Sequence, residues 1–291
     1  MTTTLSPSAL SPTVDAPPGA APGPDGGAAR PARPLGRIAM AVSDAATITW
    51  RNLLTYVRLP ELLVFSTIQP VMFVLLFRYV FGNSIVLADP TIEYVDYLMP
   101  GIFVQTAVFG AAGTGIALAE DLHKGLIERF RSLPMARSAV LAGRTWADSV
   151  RNVFVLALMT TVGMLVGFRI HGGIPAYLFA LVLVLLFAYG ISWVAAAIGL
   201  GAPNGEAAQA AIFPMMFPLT FASSAFVDPS FMPGWLQGFA RHQPVTVTVD
   251  AVRDLVLGRP AGWGVAAAIA WSLAIVAVFA PLSVRRYRRA T

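Results

Sequence analysis

Six long stretches of this chain carry almost no charge, and the short segments between them hold most of it. The stretches are 62–81, 98–119, 153–168, 174–200, 207–226 and 263–284. A bilayer core is ~30 Å thick, so a spanning helix needs ~20 mostly apolar residues. Five of the six reach that length; 153–168 falls short and is expected to borrow the turn 146–152. No soluble core buries so many uncharged helices at once. The pattern predicts an all-α polytopic membrane protein with six transmembrane helices. A hydrophobic content of 56% against 12% charged residues fits lipid as the solvent.

Residues 37–284 read as one membrane domain between a tail, 1–36, and a basic end, 285–291. The tail is rich in Pro, Ala, Gly, Ser and Thr and has no apolar run, which predicts disorder. It lacks the basic start and apolar core of a cleavable signal. Arg30, Arg33, Arg37, Arg51 and Arg58 precede the first span. Lys124, Arg129, Arg131, Arg137 and Arg144 lie between spans two and three, and Arg285, Arg286, Arg288 and Arg289 follow span six; together these are fourteen of the 20 Lys and Arg. Six spans place all three groups on one side, which the positive-inside rule makes cytoplasmic, with both termini there. The opposite loop, 82–97, carries Asp89, Glu93 and Asp96 and no Lys or Arg. The basic residues flank spans rather than form one groove-sized patch, so anionic lipid headgroups are their expected partner and nucleic acid is not. Residues 38–61 mix apolar and charged positions, with Trp50 and Tyr56, and predict an amphipathic helix in the inner interface ending at an elbow before Pro60.

Much chemistry is excluded. The chain has no cysteine, which removes thiol catalysis, disulfides and thiolate metal sites. Its three histidines, His123, His171 and His242, are far apart, and no HExxH or GxSxG occurs. The only lysine, Lys124, follows His123 and not a glycine-rich turn, so the chain has no phosphate-binding GxxxxGK[ST] loop. Uphill movement of cargo then needs energy from a partner or a gradient. Charged groups within spans are few. Arg78 sits near the outer end of span one, and Asp148 and Arg151 are spaced to pair at the inner end of span three. Gln69 and Gln209 are expected to bond between helices. An intramembrane enzyme needs a buried nucleophile or acid–base pair; Ser223 and Ser224, among small residues, read as helix packing.

The loop after span two is the most informative. Leu122, Leu126, Ile127, Phe130 and Leu133 recur near helical spacing with charges between them, and Pro134 stops the run. This predicts a short amphipathic helix at the inner face, offering charges and an apolar knob to a cytoplasmic partner. Here Glu128-Arg129-Phe130-Arg131-Ser132-Leu133-Pro134-Met135, then Ser138 and Gly143-Arg144, resembles the coupling segment of type-2 ABC exporter permeases, most closely the daunorubicin-resistance-type drug efflux branch. Phe221-Ala222-Ser223-Ser224-Ala225-Phe226-Val227, Met232-Pro233-Gly234-Trp235-Leu236, Gln243-Pro244-Val245-Thr246, Ala251-Val252-Arg253 and Leu257-Gly258 follow the same family's order between spans five and six. The likeness covers residues 38–284.

The resemblance implies a half-transporter in a bacterial plasma membrane. Two permease copies, expected to be identical, work with two copies of a separate ATPase that uses ATP and Mg; this chain binds no cofactor of its own. Leu126, Ile127, Glu128, Arg129, Phe130, Arg131, Ser132, Leu133, Pro134 and Met135 then contact the ATPase, and Asn204, Gly205 and Glu206 form a second inner contact. It also implies outer re-entrant helices between spans five and six, carrying Trp235, Phe239, Pro244 and Arg253. Pro214 and Pro218, four apart in span five, each remove a backbone donor, and this span is expected to bend as a gate. The cargo implied is a hydrophobic or amphipathic drug, antibiotic or lipid-like metabolite; a lipid-linked polysaccharide or teichoic-acid exporter shares the architecture and is the alternative.

Overall fold

The computed structural model describes residue 50 and residues 60–82, 91–124 and 137–290; for 60–66, 137–144 and 288–290 only the backbone path is described. The tail 1–36, most of 38–61 and the coupling segment Leu126–Met135 lie outside the described residues. The described residues are mainly helical, with no strand among them. Eight α-helices follow in order: α1 Pro60–Leu75, α2 Tyr94–His123, α3 Arg137–Val166, α4 Gly173–Gly199, α5 Gly205–Phe221, α6 Gly234–His242, α7 Pro244–Leu257 and α8 Gly262–Ala290. A π-helical turn, Leu76–Phe81, prolongs α1.

Among the described residues, four stretches are long and apolar enough to cross a membrane: Tyr94–His123, Thr145–Val166, Gly173–Gly199 and Gly262–Tyr287. Span one is helical over 60–81, in line with the expected 62–81. Span five differs. In span five the helix stops at Phe221, and its 17 residues rise only ~26 Å. The third span is longer than expected: α3 starts at Arg137 and covers 30 residues, because its charged first half is helical too.

α2 is the axis of the bundle, packing against α1, α3, α4, α5 and α7, while α4 also packs on α8 and α7. Burial follows this order: 72% of the apolar stretch of α2 and 61% of that of α4 are buried, against 28% and 17% for α3 and α8. The outer helices present large apolar side chains outward, among them Phe154, Leu165, Trp263 and Val278. Such a surface is stable against lipid tails and costly in water.

The crossing of α2 and α4 is close because glycines face each other. A Cβ on Gly115 would lie 2.2 Å from the Ala195 carbonyl oxygen, and one on Gly199 would lie 2.1 Å from that of Gly115. Small residues let membrane helices approach to backbone contact. Gly115→Ala is therefore expected to destabilise the bundle by about 1–3 kcal/mol, the usual cost of overpacking. Gly238→Ala, with nothing within 4 Å of the new methyl, is the matched control. Thermal unfolding of the two variants in the same detergent checks this.

Candidate functional site

The bundle has two distinct ends. At one, α2 finishes, α3 begins, and α4 passes to α5. Glu120, in the last turn of α2, holds this end together. One of its carboxylate oxygens meets Lys124 Nζ at 3.1 Å. The other accepts the backbone N–H of Gly205 at 3.3 Å. Asn204 caps α5, its Oδ1 accepting the Ala207 N–H at 2.8 Å, and exposed Glu206 places negative charge in the first turn. The expected second contact, Asn204-Gly205-Glu206, is thus tied by one carboxylate to the root of the coupling segment. The motif pattern does not single out Glu120; its i,i+4 spacing to Lys124 is the signal that points to it.

At the other end α5 stops short and the chain turns through Ala222–Val227. Ser223 Oγ donates to the Thr220 carbonyl and accepts from the Ala225 N–H, which draws the backbone out of the helix. Gln243 Nε2 donates to the carbonyls of Leu219, at 2.6 Å, and Ala222, at 3.0 Å. Arg253, only 6% exposed, gathers the rest. It donates to the carbonyls of Tyr97 (3.1 Å) and Ser224 (2.7 Å) and to the Asp250 carboxylate (2.7 Å), with its guanidinium 3.7 Å from the Tyr97 ring centroid. Tyr97 OH also donates to the Ser224 carbonyl at 3.1 Å, and Ser224 Oγ to Asp250 at 2.6 Å. A buried cation is stable only when paired and fully hydrogen-bonded, and this one meets both conditions. Both serines are engaged as packing and turn residues.

Beside this node lies a charged cavity of about 480 Å³, lined by Asp228, Arg241, Asp250, Arg253, Asp254 and Arg259 among others. Burial, then the neighbouring Asp250, holds the Asp254 carboxyl above the usual carboxylate range. Of the other expected outer residues, Pro244 opens α7 at its first turn, while Trp235 and Phe239 on α6 point outward, 82% and 47% exposed. Gly258 ends α7 at φ 73°, a conformation that glycine adopts freely. The α3–α4 turn is pinned to this end as well: His171 and Gly172 N–H both donate to the Val256 carbonyl, and Asp96 accepts the Arg169 N–H at 2.8 Å.

Along α5, Pro214 and Pro218 are both exposed and the helix is continuous through them. Next to them runs an aromatic column that the sequence pattern did not predict. Phe221 stacks on Phe217 at 5.5 Å and on Phe226 at 5.3 Å, Phe226 on Phe77 at 4.7 Å, and Phe109 meets Phe217 edge-on at 5.3 Å.

Two expectations for polar groups are not met. Asp148 and Arg151 do not pair: Asp148 accepts the Thr114 hydroxyl, and Arg151 donates to the Gly110 carbonyl at 2.8 Å and to Asn152 Oδ1. Because α3 begins at Arg137, both residues sit at its middle and face α2 rather than each other. Gln69 and Gln209 are exposed, and neither makes an interhelical hydrogen bond among the described residues.

Comparison with known families matches residues 44–257 to the ABC-2 type transporter family. The chain belongs to that family. It is 38% identical to the daunorubicin resistance ABC transporter permease protein DrrB1 of Streptomyces coeruleorubidus, over 89% of either chain. It is 25% identical to the probable doxorubicin resistance ABC transporter permease protein DrrC of Mycobacterium tuberculosis, over 78% of this chain and 81% of that one. A putative transport permease, ycf38, of Porphyra purpurea matches at 26% over 73% of both. The fold and the family agree on an integral membrane permease, and the resemblance read from the coupling and outer segments holds.

Within this ABC-2 permease, Arg253 is the residue on which the end built around Ala222–Val227 depends. Arg253→Met keeps the bulk and removes three donated hydrogen bonds and the ring contact. Removing one partner of a buried, paired charge costs about 3–5 kcal/mol. A large fall in thermal midpoint is expected, with Trp235→Ala, at an exposed position, leaving it nearly unchanged.

Proposed function

We propose that this chain is the membrane half of an ATP-driven exporter that moves a hydrophobic or amphipathic drug, antibiotic or lipid-like metabolite out of a bacterial cell. The observation that carries the reading is the family match over 44–257 on a chain without a phosphate-binding loop. The names of the relatives support drug-type cargo. In this reading a separate ABC ATPase, in two copies, binds ATP and Mg below the membrane, and two permease copies form the conduit.

Six spans complete the architecture: the four long apolar stretches, α1, and α5. α5 reaches the outer boundary with help from the turn after it, and α6 and α7 lie as re-entrant helices in the outer leaflet. The Glu120 end faces the cytoplasm, as the fourteen basic residues require. Leu126–Met135 receives the stroke from the ATPase: Arg129 and Arg131 meet acidic groups and Phe130 fills an apolar pocket. Asn204-Gly205-Glu206 braces it, through Glu120. Pro214 and Pro218 leave carbonyls of α5 without their helical donors, which allows this helix to bend as a gate.

The chain reconstituted alone in proteoliposomes is expected to hydrolyse no ATP and export nothing. Adding the ATPase is expected to start ATP-dependent export of a hydrophobic dye. Phe130→Ala is expected to lower that export at least ~10-fold, the effect of losing one well-filled anchor at an interface. Export by the chain unaided contradicts the reading.

A further inference from the structure

A second cavity, of about 150 Å³, lies between α1, α2 and α3 near the middle of α2. Its walls include Phe73, Gln105, Thr106, Phe109, Gly113 and Arg151. Three of these carry a buried polar atom with no hydrogen-bond partner: Arg151 Nε, Gln105 Oε1 and Thr106 Oγ1. Gln105 and Thr106 are 3% and 8% exposed. Leaving such atoms unpaired costs free energy at each one, and together they sit in a part of the molecule where lipid offers no compensation. Arg151 is anchored by Nη2, on the same guanidinium edge as Nε, which donates to the Gly110 carbonyl and to Asn152 Oδ1.

The two aromatic walls lead outward. Phe73 stacks on Phe77 at 6.0 Å and contacts Phe226, and Phe109 contacts Phe213 and Phe217. The cavity is therefore continuous, through shared rings, with the aromatic column on α5. Its volume decides what it takes. A drug-sized ligand needs roughly 300–1,000 Å³, whereas a void of ~150 Å³ accommodates one benzene-sized ring.

We propose that this cavity is a seat for the polar end of an aromatic cargo: one ring bearing a hydrogen-bond acceptor next to a donor, as in a hydroxy-ketone, a hydroxybenzamide or a carboxylic acid. The cargo's polar groups lie against Gln105 and Thr106, which turn toward the ring to pair with them, and beside the Arg151 guanidinium. Phe73 and Phe109 flank the ring, and the rest of the cargo lies along the phenylalanine column. The proposal deepens the exporter reading and rests on it for the word cargo; the binding seat itself does not.

The test uses the full chain in lipid nanodiscs and the fluorescent probe 2-hydroxybenzamide, with toluene as the ring lacking both polar groups. Saturable probe binding above that of empty nanodiscs is expected. Gly113→Leu fills the seat from a position where the new Cβ makes only an ordinary 3.7 Å contact with Arg151; it is expected to abolish binding of both compounds. Gln105→Leu keeps the shape and removes the acceptor. It is expected to weaken the hydroxybenzamide about tenfold, leave toluene unchanged, and raise the thermal midpoint, since an unpaired buried oxygen is gone. A merely structural Gln105 gives the opposite sign in the melt. Unchanged probe binding in both variants, or binding no greater than that of empty nanodiscs, overturns the seat. Export with the ATPase is measured alongside: intact export with unchanged probe binding removes the seat and leaves the exporter, and probe binding that responds as stated without export keeps the seat and removes the exporter.

Discussion

Where α5 ends, its last carbonyls must find donors within the protein, and that requirement organises this end of the permease. In hydrocarbon every backbone polar group has to be satisfied within the protein. Helices do this by themselves; the turn 222–227 does not. Gln243 and Arg253, both on or beside α7, supply the missing donors to Leu219, Ala222 and Ser224. The same guanidinium reaches the Tyr97 carbonyl in the first turn of α2. A single buried cation thus joins the turn, the outer helical pair and the central helix.

α2 is the element through which the two ends communicate. Its first turn is bound to Arg253, its last turn through Glu120 to the start of α5, and its middle to Arg151. The close glycine crossing fixes α2 against α4, so α2 and α4 behave as one rigid strut. α5 is held differently: capped by Asn204 and bonded to Glu120 at one end, and tied by Gln243 at the other, with two prolines between. In the proposed mechanism, displacement of the coupling segment acts on the shared Glu120 junction. α5, having the weaker internal hydrogen bonding, is the part that yields.

The bulk of the helical architecture was legible because lipid imposes so plain a code. Uncharged runs of span length mark α2, α4 and α8 directly. The start of α3 was not legible: Arg137–Asp148 carries charge, and charge there looks like loop until one sees that the helix extends beyond its apolar part. The end of α5 was not legible either, because Ala222–Phe226 carries no charge or proline to mark it; Ser223 ends the helix together with Gln243 and Arg253, which lie far along the chain. Arg253 stood out through its family setting, but its role as a donor to backbone carbonyls is a tertiary fact. Arg151 was misplaced for the same reason as α3, since its depth follows from where that helix begins. The coupling segment remains a reading of sequence and family, as Leu126–Met135 lies outside the described residues.

The central claim is that force enters at one face, through the segment around Phe130, and acts on a conduit whose Arg253-bound helices lie at the opposite face. The chain has no cysteine, so single cysteines at Phe130 and at exposed Trp235 can be labelled cleanly with a membrane-impermeant maleimide. Labelling of Trp235→Cys in intact cells, and of Phe130→Cys only after the membrane is opened, is the predicted result. Labelling of both from the same side contradicts the account.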